Sequence, residues 1–305
     1  MSAPLYTSRL SIPYSSKSTL NTLDIHTPTH APLSPSYFLV YIHGGAFRDP
    51  LCTSLTLLPS LPSLFLNRHI GRIAALNYRL CPYPTHATCP SDPGDGARNA
   101  RWPEAIEDVR DGIGWLKREE NAGLGEGKWE WIVCGHSVGG TMAVMVGMDG
   151  MGAGEEEWER GVWGEEGGMD GLKGVVALEG IYDFTACRDA HLRVRDVYDG
   201  FTTGAFGAEE EGGWERGNVL GCRRRVRDGV EVVVVGHSRE DELVEWEQGI
   251  RLIGVLEGER ERVGRGEVVR FVEVEGTHER VVKDGVAVGK CVGVAIAVLI
   301  EKAKG

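Results

Sequence analysis

A short apolar run that breaks into glycines around one serine constrains this chain more than any other feature. Trp131-Ile132-Val133-Cys134 reads as a strand buried on both faces, and it runs directly into Gly135-His136-Ser137-Val138-Gly139. A helix-like stretch, Thr141 to Met148, follows at once. A G-x-S-x-G pentapeptide alone is weak evidence, because small residues around serine are common. Its setting supplies the meaning: a strand before and a helix after place the serine on a sharp turn with its hydroxyl exposed. Serine is a poor nucleophile at neutral pH and needs that exposure together with an adjacent base. The competing reading is a strand–helix turn with an idle serine.

The rest of the chain repeats the alternation. Ser18 to His26 reads as an early strand, and a proline-rich turn covers Pro28 to Pro35. Tyr37–Ile42, Ile73–Tyr78, Val175–Leu178, Val232–Val235 and Val268–Val274 are apolar, strand-like runs. Pro82 to Gly96, rich in Pro, Gly and Asp, must be loop. Pro103 opens a helix in which Ile106, Val109, Ile113 and Leu116 share one face. Leu243–Leu256 and the terminal Val286–Ile300 read as further helices. Strands alternating with helices predict an α/β fold: a mostly parallel central sheet with helices on both faces. We expect one domain over residues 1–305, with a Gly/Glu-rich exposed insertion at 150–171 and a small cap at 182–227.

Acyl transfer builds negative charge on a carbonyl oxygen, so backbone N–H groups must already point there. His43-Gly44-Gly45-Ala46-Phe47 follows an apolar strand well upstream of the serine, where an α/β-hydrolase carries its HGGG-type loop. Donors are expected from Gly44, Gly45 or Ala46, plus Val138. In that fold the acid and then the histidine follow the serine. His278, just past the last strand, comes after every plausible acid and is the candidate base. His237 ends the preceding strand and reads as structural, and His191 reads as solvent-exposed. For the acid, the loop after the Val-rich strand offers Glu240, Asp241 and Glu242. The D-x-L-V pattern favours Asp241, with Glu240 as runner-up. His43 and His136 read as backbone-positioning residues, Cys134 as a packed core thiol, and Arg223-Arg224-Arg225 as a solvated face.

Composition narrows the partners. Of 305 residues, 45 are acidic and 33 basic, a net charge of −12, which argues against nucleic acid or anionic membrane as the main partner. The most apolar stretch, Val286 to Ile300, is too short and glycine-broken to span a bilayer. No leader-like segment opens the sequence. The seven cysteines are scattered and odd in number, without metal spacing, and suit a reduced cytoplasmic protein. No phosphate- or dinucleotide-binding glycine loop occurs, so no cofactor and no metal are expected. Oligomeric state, including a homodimer, stays open.

Tyr41 to Pro50, with its HGG-AF-RDP run, Asn77-Tyr78-Arg79-Leu80, GHSVGGT, Glu179-Gly180-Ile181-Tyr182-Asp183 and His237 through Val244 together resemble the fungal kynurenine formamidases. The likeness runs from about Ser18 to the C-terminus; Phe47 stands where that family has tryptophan. The resemblance implies an α/β-hydrolase that converts N-formyl-L-kynurenine to L-kynurenine and formate in tryptophan breakdown toward NAD. Ser137 would attack the formyl carbon, and Asp241 would orient His278. A short-chain carboxylesterase with the same triad is the alternative, and a non-catalytic binding protein of this fold the second.

Overall fold

The structure, a computed structural model, describes residues 4–122, 128–150, 169–220, 224–264 and 266–304. In chain order its strands are β1 (Tyr6–Pro13), β2 (Thr22–Pro28), β3 (Tyr37–Ile42), β4 (Ile70–Leu76), β5 (Glu130–His136), β6 (Met148–Gly150), β7 (Leu172–Leu178), β8 (Arg224–Val226), β9 (Val232–Ser238) and β10 (Val268–Val274). The helices are α1 (Leu61–Leu66), α2 (Glu104–Asn121), α3 (Val138–Val146), α4 (Phe184–Ala190), α5 (Arg195–Phe206), α6 (Trp246–Val263), α7 (Arg280–Lys283) and α8 (Val286–Lys302). Among the described residues, eight strands form one sheet in the order β1-β2-β4-β3-β5-β7-β9-β10. β1 and β2 run antiparallel to their neighbours, and every pairing from β4 to β10 is parallel.

Alternation along each strand feeds two cores. Phe38, Val40 and Ile42 of β3 join the core under α2, α3 and α6, whereas Tyr37, Leu39 and Tyr41 join the one under α1 and α8. β9 is buried along its whole length, which is why it reads as unbroken valine rather than as alternation. α8 buries Val288, Val292, Ala295, Ile296 and Leu299 on one face, the spacing a helix needs to lie on a sheet. The mostly parallel sheet with helices on both faces expected from the sequence is present.

Several expectations shift. β1 is unforeseen: its residues are almost all exposed, so no apolar alternation marks it. The chain between β3 and β4 contains a 3-10 helix over Ser54–Ser60 and then α1. α6 begins at Trp246 rather than Leu243, because the Asp241 carboxylate takes the Leu243 and Val244 N–H groups into a turn first. The expected insertion at 150–171 lies, for residues 151–168, outside the described residues. Residues 182–227 hold α4, α5 and short 3-10 turns, and their far end, β8, pairs with β6. No helix of the described residues is long and apolar enough to cross a membrane.

Candidate active site

The elbow is built by close backbone approach. A Cβ on Gly135 would lie 2.0 Å from the Gly139 carbonyl oxygen, and one on Gly139 would lie 2.2 Å from that of Ile42. Only glycine lets β5, β3 and the start of α3 meet here. Ser137 is thereby forced to φ 56°, ψ −131°, a conformation an L-residue adopts only under tertiary constraint. Its N–H donates to the Leu178 carbonyl at 2.9 Å.

The oxyanion loop lies against this serine. A Cβ on Gly44 would sit 2.9 Å from Ser137 Cβ. Gly45, Ala46 and Phe47 all have positive φ. The N–H groups of Gly45, Ala46 and Val138 meet no acceptor among the described residues, as donors kept for an incoming oxygen should. Tyr78 fixes the loop from below: its hydroxyl donates to the His43 carbonyl at 2.9 Å and reaches that of Gly44 at 3.2 Å. The Tyr78 ring stacks on His43 at 4.3 Å. Burial lowers the His43 pKa to about 4, so this imidazole is neutral and serves the loop's shape, as its place in the sequence suggested.

His278 and Asp241 come together. His278 Nδ1 lies 2.8 Å from Asp241 Oδ2, which leaves Nε2 as the free ring nitrogen. The other Asp241 oxygen accepts the N–H groups of Leu243 and Val244 at 2.9 and 2.8 Å. Burial alone would raise the Asp241 pKa, but the hydrogen bonds of His237, His278 and Val244 outweigh it and hold the carboxyl well below the usual carboxylate range. The runner-up Glu240 is exposed. Glu242 instead accepts the His278 backbone N–H at 3.1 Å.

Of three neighbouring histidines, His136 and His191 depart from the sequence reading, and His237 is structural as read. His136 does not merely shape backbone: its ring lies 4.5 Å from that of His278, with Nε2 3.3 Å from Glu179 Oε2. Burial and then the His278 charge push its pKa well down, so it stays neutral. His237 donates to the Val244 carbonyl at 2.9 Å and lies 3.5 Å from Asp241; the carbonyl is the nearer acceptor, and the imidazole braces the acid loop. His191 is half-buried rather than solvent-exposed, stacked on Tyr198 at 5.1 Å.

Sequence reasoning missed Glu179 as a site residue. It follows β7 directly with φ 48°, has no exposed surface, and lies 3.4 Å from His278 Nδ1. Burial and then the Asp241 charge push its pKa up to about 10. A second missed residue, Gln248, ties the loop after β7 to the acid loop. Its fully buried amide accepts the Tyr182 and Asp183 N–H groups and donates to the Asp183 carbonyl and to Glu245. No motif marks Gln248, and although Glu179 opens the Glu179–Asp183 run that carries part of the family resemblance, nothing in that run shows its role; a buried carboxyl or amide is recognisable only from its surroundings.

Beside the oxyanion loop, Arg48 is partly buried, with its guanidinium 4.0 Å over the Tyr83 ring and 5.8 Å from that of Phe201. No carboxylate pairs with it among the described residues; its neighbour Asp49 turns instead to the Leu51 N–H and to His86. Phe47, which stands where the resembled family has tryptophan, is buried against Phe184 and Phe206 as part of the core.

Two groups of three residues bring potential metal-ligand atoms within 4.8 Å of one another: His136, Glu179 and His278, and Cys187, His191 and Glu245. In the first, Asp241 already engages His278 Nδ1 at 2.8 Å, and His136 Nε2 faces Glu179 Oε2 at 3.3 Å. In the second, burial and the adjacent Glu245 keep the Cys187 thiol protonated.

Residues 23–256 match the family model described as BD-FAE. The kynurenine formamidase avaC of Aspergillus versicolor is 28% identical over 268 residues, 80% of this chain and 83% of that protein. The kynurenine formamidase-like hydrolase fscH of Fusarium equiseti is 27% identical over 92% of both. Among solved structures, esterase B from Lactobacillus rhamnosis superposes with a TM-score of 0.70, 13% identity, and coverage of 98% of this chain and 88% of that one. At that identity the likeness is one of fold.

Proposed function

The chain belongs to the BD-FAE family and has the α/β-hydrolase fold, and on that footing we propose that it is a serine hydrolase cleaving N-formyl-L-kynurenine to L-kynurenine and formate. The observation that carries the serine chemistry is the buried His278–Asp241 pair, 2.8 Å apart, with the His278 ring 4.5 Å from that of His136, the residue before the strained Ser137. Asp241 holds the Nδ1–H tautomer and stabilises the imidazolium that forms. Nε2 takes the Ser137 proton as Oγ attacks the formyl carbon, and the N–H groups of Gly45, Ala46 and Val138 receive the oxyanion. Collapse breaks the C–N bond, and His278 returns the proton to the aniline nitrogen. Water, deprotonated by the same imidazole, then attacks the formyl-serine ester and releases formate.

The formamide substrate is supported by the two fungal relatives and by Arg48. N-formylkynurenine carries an amino-acid carboxylate, and an unpaired, partly buried guanidinium next to the oxyanion loop is a suitable counter-charge. The test is hydrolysis of N-formyl-L-kynurenine beside p-nitrophenyl acetate, with Ser137→Ala as control. Preference for the formamide, lost in the variant, supports both parts of the reading. Ester cleavage alone keeps the serine chemistry and replaces the substrate with that of a short-chain esterase. Activity that survives Ser137→Ala overturns the mechanism.

A further inference from the structure

Glu179 sits where the nucleophile strand's neighbour, β7, ends, and the proposed chemistry above gives it no task. Four of the five described non-glycine residues with positive φ are Ala46, Phe47, Ser137 and Glu179. Three of these belong to the serine turn and the oxyanion loop. Strain of this kind persists where surrounding structure over-determines it. At Glu179 it turns a carboxyl inward, against the residues that orient the base.

The surroundings determine its protonation state. The side chain has no exposed surface. Oε2 lies 3.3 Å from His136 Nε2 and 3.4 Å from His278 Nδ1, the same nitrogen that Asp241 Oδ2 approaches at 2.8 Å, so the two carboxyls share one imidazole edge. Oε1 meets no hydrogen-bond partner. As an anion, this group would leave a buried oxygen without a donor beside a second carboxylate, and both defects are costly. As a neutral acid it needs one acceptor, and the ionised Asp241 supplies it. The charged and titratable groups facing Glu179 are Asp241, Glu242, His278, His136, Tyr182 and Cys291. Two of these are carboxylates, so the pocket favours the neutral state further.

We propose that Glu179 is a positioning residue: its protonated carboxyl donates to Asp241 and so fixes the carboxylate that holds His278. The consequence for the reaction is a single negative charge opposite the imidazolium, despite two buried acids. The donated proton steadies Asp241 as an anion while His278 gains and loses its own proton. The proposal rests on the serine-hydrolase reading.

The test compares Glu179→Gln with Glu179→Leu in pH profiles of kcat and KM and in the low-field proton resonance of the His278–Asp241 hydrogen bond. Gln keeps a neutral donor of the same length; Leu removes it. We expect the Leu variant to lose about 10–100-fold in kcat with KM little changed, the usual cost of a loosened catalytic group. The Gln variant should recover most of that loss and keep the resonance. The wild type should lose activity as pH rises toward 10, where the second acid ionises, and the Gln variant should lack that limb. Gln as damaging as Leu would show that the charge matters and overturn the neutral-donor role. Two harmless substitutions would overturn the positioning role altogether. If the Leu variant does not fold, the Gln profile alone still decides. The resonance needs no turnover, so it separates failure of this proposal from failure of the serine-hydrolase reading.

Discussion

Arg48→Met should separate carboxylate recognition from chemistry. Methionine keeps an unbranched stem and removes the guanidinium that lies over the Tyr83 ring, with its charge. A charge-assisted hydrogen bond contributes about 1.5–3 kcal/mol when well desolvated. Arg48 is only partly buried, so screening reduces that to about 1–2 kcal/mol. At about 1.4 kcal/mol per factor of ten, the expected loss in kcat/KM on N-formyl-L-kynurenine is roughly 5–30-fold. The methyl ester of the same compound lacks the anion and should lose less than about twofold. Steady-state kinetics on the acid and its ester, in wild type and variant at two ionic strengths, give the comparison. The wild-type preference for the acid should also shrink as salt rises. An equal loss on acid and ester would show that Arg48 packs the loop rather than reads the substrate, and this reasoning would be refuted.

Other perturbations probe different parts of the site. Asp241→Asn leaves the turn but favours the wrong His278 tautomer, so kcat should fall by about 10⁴ with the fold intact by circular dichroism; a loss below tenfold would reassign the acid. Tyr78→Phe removes the donor to His43 and Gly44 and should lower stability by about 1 kcal/mol in urea unfolding, with a several-fold fall in kcat. An unchanged kcat would detach Tyr78 from the oxyanion loop. The raised Glu179 pKa predicts a stability slope: its contribution is fully present below pH 4.5, where the unfolded carboxyl is also protonated. That contribution is lost as pH climbs toward about 10, because only the unfolded state then ionises freely. Unfolding at pH 5 and pH 9 should therefore show wild type losing stability relative to Glu179→Gln, and parallel losses would contradict the assignment.

The contrast between Ser137 and Glu179 shows what the amino-acid order can carry. Ser137 is legible because its geometry demands small residues at fixed offsets, and Gly135 and Gly139 are there to be read. His278 is legible from chain order alone. Glu179 looks like any strand-end carboxylate, and its protonation follows from neighbours contributed by β5, the loop after β9 and the segment after β10. β1 escaped because its pairing with β2 needs backbone partners but no buried face. Leu243 and Val244 looked helical because their apolar pattern continues into α6; the Asp241 carboxylate claims their N–H groups first.

Gln248 gives the molecule a shared hinge pin. One amide closes four backbone and side-chain valences on two segments that are distant in sequence, after β7 and before α6. Neither segment can open without stranding polar groups of the other, so they should breathe as a single cooperative unit. In hydrogen exchange, the Tyr182 and Asp183 amides should acquire label together with the acid loop. Asp241 then loses its register only in the same rare excursion that frees Glu179, and the two acids leave or regain the catalytic pocket as one.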